Sequence, residues 1–209
     1  MLNVCLTTYP ARVANVPRVL DSLRTQTILP DRFVITLCKA DEHLRSMFAN
    51  MPDVEVLIVD DDTKVWKKFL PAMDALHMKH DDLVLTVDDD KLYPPQMIAD
   101  FMSAHSEFPD APISGNHYWR NGLKCHCGGC SIVQPRHMAG WQKYYAYWKQ
   151  LPSSDMFYTM LAARNKFAYM QTATNWERTA TPFNEVQPYS VHGMVQQTYL
   201  RTAKLFGWI

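Results

Sequence analysis

The sequence predicts a single α/β domain with a mainly parallel central sheet flanked by helices. Three observations point there. Short apolar runs rich in β-branched residues alternate with stretches of helical spacing. Polar and acidic residues gather directly after those runs. The chain's 209 residues, 47% hydrophobic and 20% charged, suit one core, since single cores grow to about 250 residues before chains divide.

The apolar runs Leu2–Leu6, Phe33–Leu37, Val54–Val59 and Leu83–Val87 have the length and branching of buried strands. Between the first two, Val13–Gln26 carries Val16, Val19, Leu20 and Leu23 on one helical face. Asp41–Asn50 is a weaker helical stretch, and Lys64–Met78 aligns Phe69, Leu70, Met73 and Leu76. Pro94-Pro95 opens a further helix that runs to about Phe108. Strand–helix alternation implies βαβ crossovers and a parallel sheet, whose ligands bind beyond the carboxyl ends of the strands. The second half differs. Glycine, cysteine and aromatic residues dominate Asn116–Trp148, with a strand expected at Cys130–Gln134. A helix is expected from Ser153-Ser154-Asp155 to Asn165, and a last one over Met194–Leu205.

Lysine plus arginine (21) balances aspartate plus glutamate (21), so the chain lacks the basic footprint of a nucleic-acid binder. No apolar run approaches the roughly 18 to 20 residues that cross a bilayer. Met1–Thr8 is too short and lacks the basic start of a signal peptide, so a cytoplasmic protein is expected. Five cysteines, an odd number, suit reduced thiols better than a disulfide framework.

The sharpest local feature is Asp88-Asp89-Asp90, set directly after the strand Leu83–Val87. Three adjacent carboxylates cost folding free energy unless a cation or hydrogen-bond donors compensate. Mg²⁺ or Mn²⁺ answers that need, because each takes oxygen ligands and commonly bridges a carboxylate to substrate phosphates. The plainer reading is a solvated acidic loop.

The residues Thr63-Lys64, Phe69-Leu-Pro-Ala72, Asp81 to Asp90 and Tyr93-Pro-Pro95, with Leu6 to Arg12 and Gln26-Thr-x-x-Pro30-Asp31, resemble bacterial family 2-type glycosyltransferases. The resemblance covers about residues 2 to 108 well and the remainder loosely. It implies a GT-A-like, Rossmann-like domain, with a nucleotide-sugar-binding half over 1–108 and an acceptor-binding, catalytic half over 109–209. It implies transfer of a sugar from a nucleotide-sugar donor, UDP-linked in the first instance, to a glycan or lipid-linked hydroxyl, with inversion. Asp88 to Asp90 resembles the family's Asp-x-Asp motif, whose last aspartate, Asp90, is expected to hold the metal together with Asp88, with Asp88 and Asp89 also on the donor. Thr7, Tyr9 and Arg12 are expected to line the nucleotide pocket, where an arginine suits a diphosphate, though Arg12 reads equally as a surface cap. An aspartate of the Asp60 to Asp62 cluster, Asp60 or Asp61 first, is expected to meet the base or ribose. The sequence departs from the family at Asp60-Asp61-Asp62-Thr63, where Asp-Asp-Gly-Ser is usual, which leaves the nucleotide open. Lys64 reads equally as a helix start or a phosphate contact.

An inverting transferase needs a base for the acceptor hydroxyl. Asp155 matches the family's position for it, and reads equally well as a helix N-terminal carboxylate favoured by the helix dipole; Glu185 is the next carboxylate to test. His192 matches a late metal ligand of some relatives, against the ordinary reading of a lone histidine. His117, Trp119 and Arg120 suit an acceptor-sugar surface, and core packing explains Trp119 nearly as well. A short acceptor region leaves room for a partner or a membrane-associated substrate.

Cys125-His126-Cys127-Gly-Gly-Cys130 holds enough sulfur and imidazole for zinc, but all within six residues rather than on two separated knuckles. A metal-free turn, with Cys130 a buried strand thiol, is the favoured reading. Two other enzyme classes share parts of the pattern. Dehalogenase-type phosphatases need Thr or Val where this chain has Leu92, and carry their aspartates on the first strand. Sugar nucleotidyltransferases open with a glycine-rich loop where this chain has Thr7-Thr-Tyr-Pro10. A non-catalytic nucleotide- or carbohydrate-binding module is the remaining alternative.

Overall fold

Side-chain alternation sorts the strands between two cores. The computed structural model describes residues 1–120, 123–126, 130–148, 155–183 and Lys204. Its main strands are β1 (Leu2–Thr7), β2 (Arg32–Cys38), β3 (Val54–Val59) and β4 (Leu83–Val87), followed by a two-residue β5 (Lys91–Leu92). After them come β6 (Ile113–Ser114), β7 (His117–Arg120), β8 (Leu123–His126), β9 (Cys130–Val133), β10 (Met170–Gln171) and β11 (Thr181–Pro182). The helices are α1 (Val16–Arg24), α2 (Leu70–Ala75), α3 (Met97–Glu107), α4 (Tyr145–Trp148), α5 (Asp155–Arg164) and α6 (Trp176–Thr179).

Among the described residues, seven strands form one sheet in the order β10-β6-β9-β4-β1-β2-β3. β4, β1, β2 and β3 run parallel, while β9 is antiparallel to both β4 and β6. Val4, Leu6, Ile35, Leu37 and Leu85 pack on one face with Val19 and Leu20 of α1 and Phe101 of α3. Cys5, Val34 and Val84 face the other way, onto Trp66, Phe69, Phe157 and Leu161. A sheet covered on both faces explains why these strands read as continuous apolar runs rather than alternating ones.

The helices differ from the sequence expectation in kind more than in place. Val13–Gln26 resolves into a 3₁₀ turn, Val13–Asn15, followed by α1, with Pro17 in its first turn. Asp41–Asn50 is a 3₁₀ helix, Lys39–Phe48. Lys64–Met78 divides into a 3₁₀ helix, Lys64–Lys68, and α2, because Phe69 (φ −129°, ψ −63°) leaves helical geometry and Pro71 cannot donate a backbone N–H. The expected helix over Met194–Leu205 lies outside the described residues, Lys204 apart.

Several motif residues prove to be architectural staples. Gln26 is buried, donates Nε2–H to the Pro94 carbonyl (2.8 Å) and accepts the Ile98 N–H at Oε1 (2.9 Å). It thereby satisfies an orphan donor in the first turn of α3 and ties that turn to the end of α1. Asp31 accepts the Leu2 N–H at 2.6 Å and clamps the start of β1. Gly115 allows a close crossing. A Cβ there would lie 3.0 Å from Cys130 Sγ and 3.1 Å from both the Cys130 carbonyl oxygen and Phe101 Cζ. Cys5, Cys38 and Cys130 are buried free thiols.

Candidate active site

The parallel register brings the carboxyl ends of β4, β1, β2 and β3 to one rim of the sheet. Asp88 to Asp90 follow β4, Thr8 to Arg12 follow β1, and Asp60 to Asp62 follow β3. Three strand spacings separate the two acidic clusters, about 14 Å at roughly 4.8 Å per strand. The 3₁₀ helix Lys64–Lys68 lies against β1 and β2 and joins the clusters. Lys67 and Lys68, adjacent and both buried, reach different carboxylates. Lys67 Nζ donates to Asp62 Oδ1 (2.8 Å) and Lys68 Nζ to Asp88 Oδ1 (3.0 Å).

The acidic triplet is therefore met by cations of the chain itself. Asp88 also accepts Lys91 Nζ at Oδ2 (3.3 Å). Burial opposes ionisation of Asp88, but the two ammonium groups outweigh it and hold the carboxyl well below the usual range. Arg12, buried behind the Tyr9 turn, places Nη1 3.1 Å from Asp89 Oδ1 and 3.1 Å from Asp90 Oδ2. Burial raises the Asp89 carboxyl above its ordinary value despite the neighbouring Thr8 hydroxyl and Arg12. The buried Oδ2 of Asp89 has no hydrogen-bond partner of good geometry among the described residues. Tyr93, from the Tyr-Pro-Pro segment, accepts the Asp88 N–H on its hydroxyl (2.8 Å) and so sets the backbone of the triplet.

The other expected donor-side residues divide. Thr7 donates its hydroxyl to the Thr36 carbonyl (2.7 Å), within the sheet. The Tyr9 carbonyl accepts the N–H groups of Arg12 and Val13, and its ring lies 5.6 Å from the Arg12 guanidinium carbon. Asp60 and Asp61 are exposed, and Asp61 accepts the hydroxyl of Tyr145 at the start of α4. Lys64 opens its 3₁₀ helix with φ +54°, its N–H bonded to Asp62 Oδ1 at 3.1 Å.

In the second half, α5 begins at Asp155, whose backbone alone is described. The first turn of α5 is located by aromatic packing. Phe157 and Tyr158 meet Trp66 edge-on at 5.0 and 5.6 Å, and Tyr158 meets Phe69 at 5.6 Å. Such pairs contribute about 0.5–1.5 kcal/mol each beyond burial. The segment that bears Lys67 and Lys68 thus also seats α5. His117, Trp119 and Arg120 lie on β7, which pairs with β8 as an antiparallel hairpin. β11 pairs with β5, and the Phe183 N–H donates to the Asp90 carbonyl (2.8 Å), returning the late chain to the triplet. His192, Glu185 and Cys127 lie outside the described residues. Cys130 packs in the core, 3.7 Å from Met97 Sδ, as a strand thiol.

Carboxylate oxygens at a sheet rim, one of them buried and without a hydrogen bond of good geometry among the described residues, fit a hard divalent ion. Among the described residues no group of three or more His, Cys, Asp or Glu side chains is arranged to hold one. The fit is therefore to an ion that takes most of its ligands from elsewhere, as Mg²⁺ does from substrate phosphates. Lys67, Lys68, Lys91 and Tyr145 were not singled out from the sequence. For the adjacent lysines a signal exists: Trp66-Lys67-Lys68-Phe69-Leu70 sets two charges inside an apolar run.

The sequence matches no protein-family model and no curated protein. Its fold matches solved structures. A mannosyltransferase from Pyrobaculum calidifontis, in complex with GDP-Man and Mn²⁺, aligns with TM-score 0.64 at 12% identity, over 97% of this chain and 64% of that one. S. aureus TarS 1–349 in complex with UDP aligns with TM-score 0.58 at 13% identity, over 99% and 64%. The Francisella tularensis 2-C-methyl-D-erythritol 4-phosphate cytidylyltransferase aligns with TM-score 0.57 at 9% identity, over 95% and 98%. The chain spans 64% of the length of the first two. These likenesses define the fold: a single GT-A-like α/β domain, as the family resemblance implied.

Proposed function

We propose that the chain is a metal-dependent, inverting glycosyltransferase that moves a sugar from a nucleotide-sugar donor to a hydroxyl of a glycan or lipid-linked acceptor. The observation that carries the reading is the Asp88–Asp90 triplet at the carboxyl rim of the sheet. It sits on a fold shared with proteins solved with GDP-Man and Mn²⁺ or with UDP. UDP-linked donors are the first to test and GDP-linked ones the second.

In this reading Asp90 and Asp88 hold Mn²⁺ or Mg²⁺, with Asp89 beside them and His192 as a later ligand. When bound, the ion neutralises charge that develops on the leaving diphosphate. Thr7, Tyr9, Arg12, Asp60, Asp61 and Lys64 form the nucleotide side, within the donor half 1–108. His117, Trp119 and Arg120 meet the acceptor within 109–209. Asp155 takes the proton from the acceptor hydroxyl as its oxygen bonds to the anomeric carbon and the bond to the donor phosphate oxygen breaks. The aromatic contacts of Phe157 and Tyr158 with Trp66 support this assignment by seating the first turn of α5 against the 3₁₀ helix Lys64–Lys68.

Thermal-shift measurements with UDP- and GDP-sugars, with and without Mn²⁺, test the reading. A ligand at 100 times its dissociation constant stabilises by about 2.7 kcal/mol, and the shift should require metal. No metal-dependent shift with any nucleoside diphosphate overturns it. A second reading, a sugar nucleotidyltransferase, rests on the same fold, which a cytidylyltransferase also shares at TM-score 0.57. Stabilisation by a nucleoside triphosphate, without response to nucleotide sugars, would select that reading instead.

A further inference from the structure

We propose that Lys91 and Lys68 compete with the divalent cation for Asp88, so that metal binds well only together with a nucleoside diphosphate. The inference rests on the donor-site reading above and names how that site is regulated.

Each oxygen of Asp88 already faces an ammonium group, Lys68 at 3.0 Å on Oδ1 and Lys91 at 3.3 Å on Oδ2. Arg12 spans Asp89 and Asp90 at 3.1 Å each. Among the described residues, the three carboxylates of the triplet thus face Lys68, Lys91 and Arg12. A metal that enters must displace an ammonium or sit beside one, and a divalent ion about 4 Å from a positive charge is repelled, even at the dielectric of water, strongly enough to cost a factor of about thirty in affinity.

The two lysines are not equivalent. The Lys68 side chain is 4% exposed, on the 3₁₀ helix between Trp66 and Phe69, both fully buried. That helix cannot move without disturbing the core. The Lys91 side chain is 14% exposed and stands on the two-residue β5. Lys91 is therefore the one that can leave. An incoming diphosphate offers its ammonium another anion, which frees Asp88 Oδ2 for the metal. The linkage is reciprocal: whatever factor the diphosphate adds to metal affinity, the metal adds to diphosphate affinity.

The test measures Mn²⁺ affinity of the full chain, from the free-Mn²⁺ paramagnetic resonance signal, alone and with saturating UDP or GDP. The wild type should bind Mn²⁺ weakly alone and more tightly with nucleotide. Lys91→Gln should bind Mn²⁺ alone about thirtyfold more tightly, with the nucleotide effect reduced by a similar factor. Lys91→Arg, which keeps the charge, should restore weak binding. Lys68→Met should shift affinity in the same direction, and if it does not fold the Lys91 pair decides alone. A purely structural role predicts unchanged or weaker Mn²⁺ binding in Lys91→Gln, and that result overturns the inference. If neither UDP nor GDP brings Mn²⁺ onto the wild type, the donor-site reading falls and the inference with it.

Discussion

Arg12 answers two buried carboxylates with one guanidinium, and its own side chain is 9% exposed. Burial disfavours the charged guanidinium, but Asp89 and Asp90 more than restore it. From the sequence it reads as a diphosphate contact; in the fold it is first a counter-charge for the triplet. Arg12→Met keeps much of the volume and removes that counter-charge. Breaking one side of a buried ion pair typically costs about 3–5 kcal/mol, so urea unfolding should show a loss of that order. Arg12→Lys should recover part of it. A variant as stable as the wild type would mean that the triplet does not depend on the guanidinium for its charge balance.

At the scale of elements, the short connections carry more than the long helices do. The 3₁₀ helix Lys64–Lys68 links both acidic clusters and the base of α5. The connection after β9 has a comparable pin in His137. Its Nδ1 accepts the Gln134 N–H (3.1 Å), which leaves the proton on Nε2 to donate to the Asp110 carbonyl (3.1 Å). Burial, opposed by the Asp110 hydrogen bond, lowers His137 to about 4. The native state thus holds a neutral ring where the unfolded chain titrates near its ordinary 6.5. The unfolded state binds more protons between those values, so stability should be full above about pH 6.5 and fall as pH drops towards 4. The full shift corresponds to about 3 kcal/mol. Urea midpoints measured from pH 7 to 4 should show that slope, and His137→Phe should flatten it. An unaltered slope in the variant would assign the loss to other groups, His105 first, which burial also holds below its ordinary value.

For the molecule as a whole, the proposed division into a donor half and an acceptor half makes separable predictions. Asp90→Asn should weaken metal-dependent donor binding and abolish transfer together, because one carboxylate serves both. Asp155→Asn keeps shape but removes the base, so donor affinity should survive while turnover falls by roughly 10² to 10⁴. Donor calorimetry beside product formation separates the two outcomes. An active Asp155→Asn enzyme would leave Asp155 as a helix N-terminal carboxylate, where asparagine serves nearly as well, and move the search to Glu185. Among the described residues no helix is long and apolar enough to cross a membrane. An acceptor held at a membrane surface would therefore have to be met from outside the bilayer by those residues.

The sequence by itself determined the fold class, the parallel strands and the place of the acidic triplet. Each of these follows from local pattern: Val54–Val59 and Leu83–Val87 are bounded as strands by their own neighbours, and Asp88 to Asp90 follow without a gap. Helix type was less legible, because the apolar spacing of Lys64–Met78 is the same whether or not Phe69 breaks the helical turn. What only the tertiary structure decided was the charge balance. Arg12 lies 77 positions from Asp89, and Lys68 lies 20 from Asp88. Parallel strand pairing across a crossover brings such residues together, and no local periodicity encodes which cation meets which carboxylate. Burial then fixes the pairing, since a charged side chain that loses water must find its partner in the fold.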